Sequence, residues 1–260
     1  MESNQEKKAG GPTPSCDPQQ YEVTSGGNVG LKEEKSISYS AGVIFQPNRN
    51  FNIGMDLWLT KLSNVVGIDY EDAMLAESKG IDLAKSGVIV NRDTNGYIQS
   101  IEAPLQNLSS QDVQGVDMSM DARMGKFKLG VEYSYLLYFK EEGFPGAGKR
   151  DKLGENGRPG WRNSVSLGFV PSERQDISLI ATTISGHNKA VKEEGRLPAY
   201  TSLDMQYNFK MRKMGVITLG AKNILGKTPP IDDTNISRPL DTTLYDQIGT
   251  QIYTAYRAGF

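Results

Sequence analysis

The residues with the most chemistry to offer lie in Gly143-Phe144-Pro145-Gly146-Ala147-Gly148-Lys149-Arg150. This run nearly spells a loop that cradles a phosphate in backbone N–H groups. Arg150 stands where a Ser or Thr would hold the metal ion, and no helix pattern follows. A mobile basic loop is the simpler reading. His187 is the single histidine and Cys16 the single cysteine. Neither a two-His nor a His/Cys metal site can be built from them, and a His-based triad has no alternative to His187. His187 lies in a polar stretch and reads as solvated. Asp69, Glu71 and Asp72, and the pair Asp232-Asp233, could ligate calcium, but their spacing fits no EF-hand loop. Solvated loop charge accounts for them. Cys16 is either free or paired with something outside this chain. No catalytic constellation emerges and no cofactor is implied.

A second set is organised by position rather than by reactivity. Asp56, Trp58, Asp117, Asp121, Arg123, Glu132, Asp204 and Gln206 each occupy the polar side of an alternating run. Alternation of period 2 is the signature of a strand with one apolar and one polar face. From Lys35 to Gln46 the odd positions carry Ile37, Tyr39, Val43 and Phe45. After Pro47-Asn48-Arg49-Asn50, Phe51, Ile53, Met55, Leu57 and Leu59 share a face, opposite Asn52, Gly54, Asp56, Trp58 and Thr60. Each arm, at roughly 12 residues and about 3.3 Å per residue, spans the hydrocarbon layer of a bilayer when tilted by about 45°. Phe45 and Phe51 lie near the ends of the apolar face, where a membrane barrel places its aromatic girdle.

The unit repeats along the chain. Further alternating runs are expected at 113–124, 126–140, 161–170, 176–185, 199–209, 216–223 and 251–260, making about ten long strands. A short helix is expected at Tyr70–Lys79. A small hairpin is expected at Val88–Arg92 with Tyr97–Ile101, turned at Asn95-Gly96. The connections sort by length: tight at 47–50, around Gly125, at 171–174 and at 210–214, and long in between. Short turns on one side and long loops on the other fit an antiparallel transmembrane β-barrel portion with periplasmic turns and extracellular loops. A soluble antiparallel sandwich also alternates, but gives no reason for loops to segregate by length.

Composition agrees. The 260 residues are 37% hydrophobic with net charge −2. That excludes helical membrane spans, argues against a nucleic-acid partner, and suits a barrel whose every second residue meets lipid. Residues 1–34 form a polar loop segment, and 35–260 form the barrel portion. Residues 1–30 show no signal peptide. For a membrane strand protein, the expectation is then a C-terminal portion of a longer exported chain.

Four segments carry a resemblance. Asn28-Val29-Gly30-Leu31-Lys32-Glu33-Glu34, leading into an alternating strand, resembles the Asn-Pro-x-Leu-Lys-Pro-Glu segment of TonB-dependent outer-membrane receptors, without its prolines. Gly115-Val116-Asp117 resembles that family's Gly-Val-Asp strand start, following the loop asparagine Asn107. The run from Leu219 through Asn223 to Pro230 is similar to its Asn-Leu-Phe-x-x-x-Pro segment. The terminal Tyr256-Arg257-Ala258-Gly259-Phe260 resembles its final strand. The resemblance covers the C-terminal half of such a barrel. It implies an outer-membrane location, lipid as surroundings, and recognition by the barrel-assembly machinery through Phe260. It also implies energy-coupled uptake of a scarce nutrient (a siderophore, vitamin or glycan) with no catalysis. TonB would act through an N-terminal plug that nothing in this sequence resembles. The alternatives are a small autonomous barrel acting as a passive pore or structural protein, and a soluble β-rich binding module. In the first, Lys35–Gln46 pairs with Gln251–Phe260. In the second, the Ile37/Tyr39/Val43/Phe45 face packs on another sheet.

Overall fold

Alternation decides the architecture, because a strand with one apolar and one polar face is stable only where its two sides meet different surroundings. The structure, a computed structural model, describes residues 22–68, 70–235 and 238–258. Its strands are β1 (Glu22–Thr24), β2 (Lys35–Asn48), β3 (Phe51–Val66), β4 (Ile89–Arg92), β5 (Ile98–Glu102), β6 (Asn107–Met124) and β7 (Phe127–Glu142). There follow β8 (Arg150–Asp151), β9 (Trp161–Ser172), β10 (Gln175–Ile184), β11 (Tyr200–Met211), β12 (Gly215–Lys222) and β13 (Gln251–Arg257). One α-helix, α1 (Tyr70–Ser78), precedes the small β4–β5 hairpin.

The main sheet has ten strands in the order β13-β12-β11-β10-β9-β7-β6-β3-β2, with the two-residue β8 pairing β7. It is antiparallel through β7, β9, β10, β11, β12 and β13. The remaining pairs run the same way. Ser38 meets Thr60 and Gly42 lies beside Asp56, while Asn50, Gly54 and Trp58 lie beside Arg123, Ser119 and Gly115. In each pair of strands one number rises as the other falls. The sheet is open: β2 and β13 are its two edges.

The chain forms two compact units. The first comprises the described residues of 1–39, 60–113 and 139–151, and the second 40–59, 114–138 and 152–260. In the first, α1, β4, β5 and the 143–149 turn enclose a core of Ala73, Met74, Ala76, Val88, Ile101, Phe144 and Ala147. Here β1 adds in parallel to β5, pairing Val23 with Ile101, in the segment expected to be loop. The register continues past the strand, since Ala103 and Leu105 donate to the carbonyls of Thr24 and Gly26 at 2.9 Å.

In the second unit the sheet faces are read directly from register. One face carries the rows Leu129–Leu167–Leu179–Met205–Ala221–Ile252 and Phe127–Phe169–Ile177–Tyr207–Leu219–Thr254. Phe127 stacks on Phe169 at 5.0 Å between centroids. These rows lie open: Ile252 is 86% exposed, and Val43 of β2 is 61% exposed. A sandwich would bury them, so the second-sheet packing expected of a soluble module is not what this sheet does. The other face carries the rows Glu132–Ser164–Thr182–Ser202 and Ser166–Ile180–Asp204, and the pair Lys222–Gln251.

Candidate functional site

The polar face is the candidate site, and strand parity builds it. On β3, Asp56 and Trp58 point to the side that holds Gly42 and Gly115, and on β6 Asp117, Asp121 and Arg123 share parity with Gly115. Glu132, Asp204 and Gln206 lie in the polar rows of β7 and β11. All eight positions singled out from alternation thus fall on one face.

Two glycines let large rings lie flat on that face. A Cβ at Gly115 would sit 2.5 Å from Trp58 Cζ2, and one at Gly220 would sit 2.1 Å from Tyr253 Cζ. Tyr253 reaches across Gly220 on β12 and donates to Gln206 Oε1 on β11 at 3.0 Å, tying the edge strand two strands inward. Trp58 Nε1 is buried and has no hydrogen-bond partner among the described residues.

The family-like motifs acquire physical roles. Asn28 Oδ1 accepts from Gly30 N–H at 2.8 Å, and its carbonyl accepts from Leu31 N–H at 3.3 Å. Asn107 clamps Lys32 from both sides, its Oδ1 accepting from Lys32 N–H and its Nδ2 donating to Lys32 O, each at 2.8 Å. Its Nδ2 also reaches Asn64 O at 2.7 Å, and Glu34 Oε1 accepts from Val66 N–H at 2.7 Å. Asn223 has φ 46° and brackets Lys227, donating to its carbonyl at 2.9 Å and accepting from its N–H at 3.0 Å. Its own N–H donates to Asp204 Oδ1 at 2.8 Å, so one polar-face carboxylate anchors the start of the 224–250 loop. Val116 falls on the apolar face. Phe260, Cys16 and Asp69 lie outside the described residues.

Where this face meets its long loops, a cleft of about 240 Å³ opens. Arg162, Thr182, Ser202 and Lys222 line it from the sheet, and Tyr245 and Asp246 from the loop. Alternation alone placed Arg162, Ser202 and Lys222 on strands but gave no reason to single them out. The cleft is smaller than the 300–1,000 Å³ typical of drug-sized ligands, so it suits one polar group of a larger molecule.

Beside the cleft, His187 is fully buried, contrary to the solvated position read from its polar neighbours. Its Nδ1 lies 3.0 Å from Asn188 O and its Nε2 3.3 Å from the Tyr245 hydroxyl. Donation from Nδ1–H and acceptance at Nε2 satisfy both partners. The Tyr245 ring stacks on His187 at 6.4 Å and meets Tyr200 edge-on at 5.4 Å. Burial, then the charge of Asp241, pushes the Tyr245 hydroxyl above its ordinary pKa. Neighbouring polarity misled because the cover is Tyr245, 58 residues away in sequence.

The acidic groups are spent on structure. Burial raises Asp232, but hydrogen bonds from Thr234 and from Ala190 N–H, with the charge of Lys189, bring it below the ordinary carboxylate value. Lys189 pairs with Asp233 at 2.6 Å. In the first unit the fully buried Asp72 accepts from Gly143 N–H at 2.6 Å and pairs with Arg150. The near-phosphate loop is anchored at two points: Phe144 is fully buried and Arg150 is engaged by a carboxylate.

The family model described as TonB dependent receptor-like, beta-barrel matches residues 9–224. Among solved structures, the chain is similar to the siderophore receptor PirA from Acinetobacter baumannii, with 13% identity and TM-score 0.58. That likeness covers 86% of this chain and 31% of the other. It is similar to a G324V mutant of the ferric enterobactin receptor PfeA from Pseudomonas aeruginosa, with 12% identity, TM-score 0.59, and 89% and 32% of the two chains covered. The FrpB iron transporter from Neisseria meningitidis gives 11% identity, TM-score 0.54, and 89% and 33% coverage. At these identities the likeness establishes the fold. The chain spans about a third of the length of each. Among curated protein sequences, none matches the chain.

Proposed function

Because the chain belongs to the TonB-dependent receptor β-barrel family, we propose that it forms part of the wall of an outer-membrane uptake receptor. One observation carries the reading: a single open sheet shows unburied apolar rows on one face and gathers its charged and polar residues on the other. The apolar rows meet lipid, and the polar face looks into the lumen. Cargo recognition belongs to the long loops and the cleft beneath them, and a ferric siderophore is the cargo class we favour, on the likeness to PirA and PfeA. Coupling to TonB is a property of a whole receptor, and recognition of Phe260 by the assembly machinery completes the proposal.

An autonomous barrel fits less well. The nine strands of the continuous order alternate in direction, so β2 and β13 run the same way. They could close on each other only as a parallel pair, whereas bacterial membrane barrels are antiparallel with even strand numbers. An odd number of further strands completes such a barrel.

The test is uptake of radioactive iron, presented on a panel of siderophores, by cells that carry the chain's full gene in place of their own receptors. The loop 224–250 is then deleted. Loss of uptake with the barrel still inserted is expected. If no chelate is taken up by the intact protein while it sits in the outer membrane, the cargo assignment fails.

A further inference from the structure

We propose that the tight-turn end of the sheet in the second unit is a cationic collar that binds anionic phospholipid headgroups. The inference rests on the membrane reading above and adds a partner to it. Residues 45–52, 121–129, 170–177, 208–217 and 255–258 form the tight turns and the strand ends beside them. They hold nine basic and three acidic residues, in a chain whose net charge is −2. The long loops of the same unit, 152–160, 186–199 and 223–250, balance at seven of each sign. The surplus therefore belongs to one end of the sheet.

Five of these cations sit in the turns themselves, Lys213 beside Arg212 in sequence and, with side chains described, the four Arg49, Lys126, Arg174 and Arg212. All four are exposed. Among the described residues none makes an ion pair, although Glu173 adjoins Arg174 in sequence. In the loops Lys152, Arg158 and Lys189 pair with Glu155 and Asp233, and the other four cations make no ion pair among the described residues, so the two ends differ in their balance of charge, even in the loops and cationic at the turns. At the turn end the matched pair is Lys128 with Asp176, set back on the polar face at 2.7 Å. An uncompensated row of like charges at one end repels itself, and a layer of fixed anions relieves that repulsion.

The outer face says where that layer lies. Phe45, Phe51, Phe127, Phe169, Phe209 and Tyr256 are apolar-face aromatics within five residues of a turn cation or, for Tyr256, beside Met214, whose carbonyl accepts its hydroxyl. Aromatic rings of this kind settle at the boundary between hydrocarbon and headgroups. One to five residues of tilted strand advance about 2–12 Å along the membrane normal at roughly 45° and about 3.3 Å per residue. The headgroup layer is about 5–8 Å thick. The turn cations thus fall at the depth of the lipid phosphates. Each basic group near an anionic surface strengthens attachment severalfold, and the attraction fades within a Debye length of about 10 Å at moderate salt.

The test uses the protein made from the chain's full gene, in which further strands cover both sheet edges, folded into vesicles of phosphatidylcholine, alone or mixed with phosphatidylglycerol. Partitioning and protease protection are followed in low and high salt. The intact chain is expected to favour the phosphatidylglycerol vesicles by at least about tenfold in low salt, and to lose that preference in high salt. The variant Arg49→Gln/Lys126→Gln/Arg174→Gln/Arg212→Gln should insert into phosphatidylcholine like the parent and show no preference. The loop variant Lys192→Gln/Arg196→Gln/Lys227→Gln/Arg238→Gln should keep it. Equal partitioning of the intact chain, or a preference unchanged by the turn substitutions, overturns the collar while leaving the membrane reading in place. Displacement by inorganic phosphate also overturns it, in favour of a free-anion site. Failure to enter either vesicle sinks both. The salt series on the intact chain decides the matter even if the fourfold variant does not fold.

Discussion

At the scale of single residues, close approach rather than reactivity explains the positions that matter. Gly220 leaves room for the Tyr253 ring, so Gly220→Ala forces that ring off the sheet and breaks its bond to Gln206. Overpacking of this kind costs about 1–3 kcal/mol, measured by urea unfolding of the membrane-embedded protein. Tyr253→Ala in the same background should remove most of the loss, because the two changes share one contact. Asp232 gives a pH prediction. Its folded pKa lies below the ordinary value, so its bonds to Ala190 and Thr234 hold fully above the unfolded carboxylate pKa of about 3.9 and fail as pH falls through the folded value. Hydrogen exchange at 187–199 and 231–245 should accelerate in that acid range, and Asp232→Asn should make it fast already at neutral pH. Glycine spacing hinted at Gly115 within a motif, but nothing in the sequence paired it with Trp58. That pairing depends on β3–β6 register across a long connection.

At the scale of elements, the sequence is most legible where alternation is long and both faces are distinct. The start of β2 at Lys35 and of β3 at Phe51 follow directly from the run of side chains, and α1 and the β4–β5 hairpin lie within a residue or two of expectation. The beginning of β6 at Asn107, six residues before alternation becomes clear, is supported by the Asn107 clamp on Lys32. β1 was illegible for a different reason. Three residues held in parallel by backbone bonds to a strand more than 70 residues later leave no trace in periodicity. The same limit hid the packing of Phe144 and the cover over His187. Val43→Arg places a charge on the apolar face of β2, and should weaken insertion into vesicles by about 2–4 kcal/mol if the site lies at the bilayer midplane. Insertion matching the parent would remove that face from lipid.

At the scale of the whole molecule, the decisive property is an open antiparallel sheet with two like-directed edges. Unpaired strand edges are not tolerated in hydrocarbon, so the chain alone should not behave as a finished barrel. Refolded in detergent, it is expected to migrate on an SDS gel at the same position boiled and unboiled. A compact, faster unboiled band would mean that β2 and β13 had closed after all. The direction rule also reaches beyond this chain to the way its gene can change. Losing one strand would turn every later strand upside down, exchanging the loop side of the membrane for the turn side from that point on. Insertions and deletions that survive in the wall should therefore come as whole hairpins, each a down-stroke with its return, while the loops between them are free to vary a residue at a time.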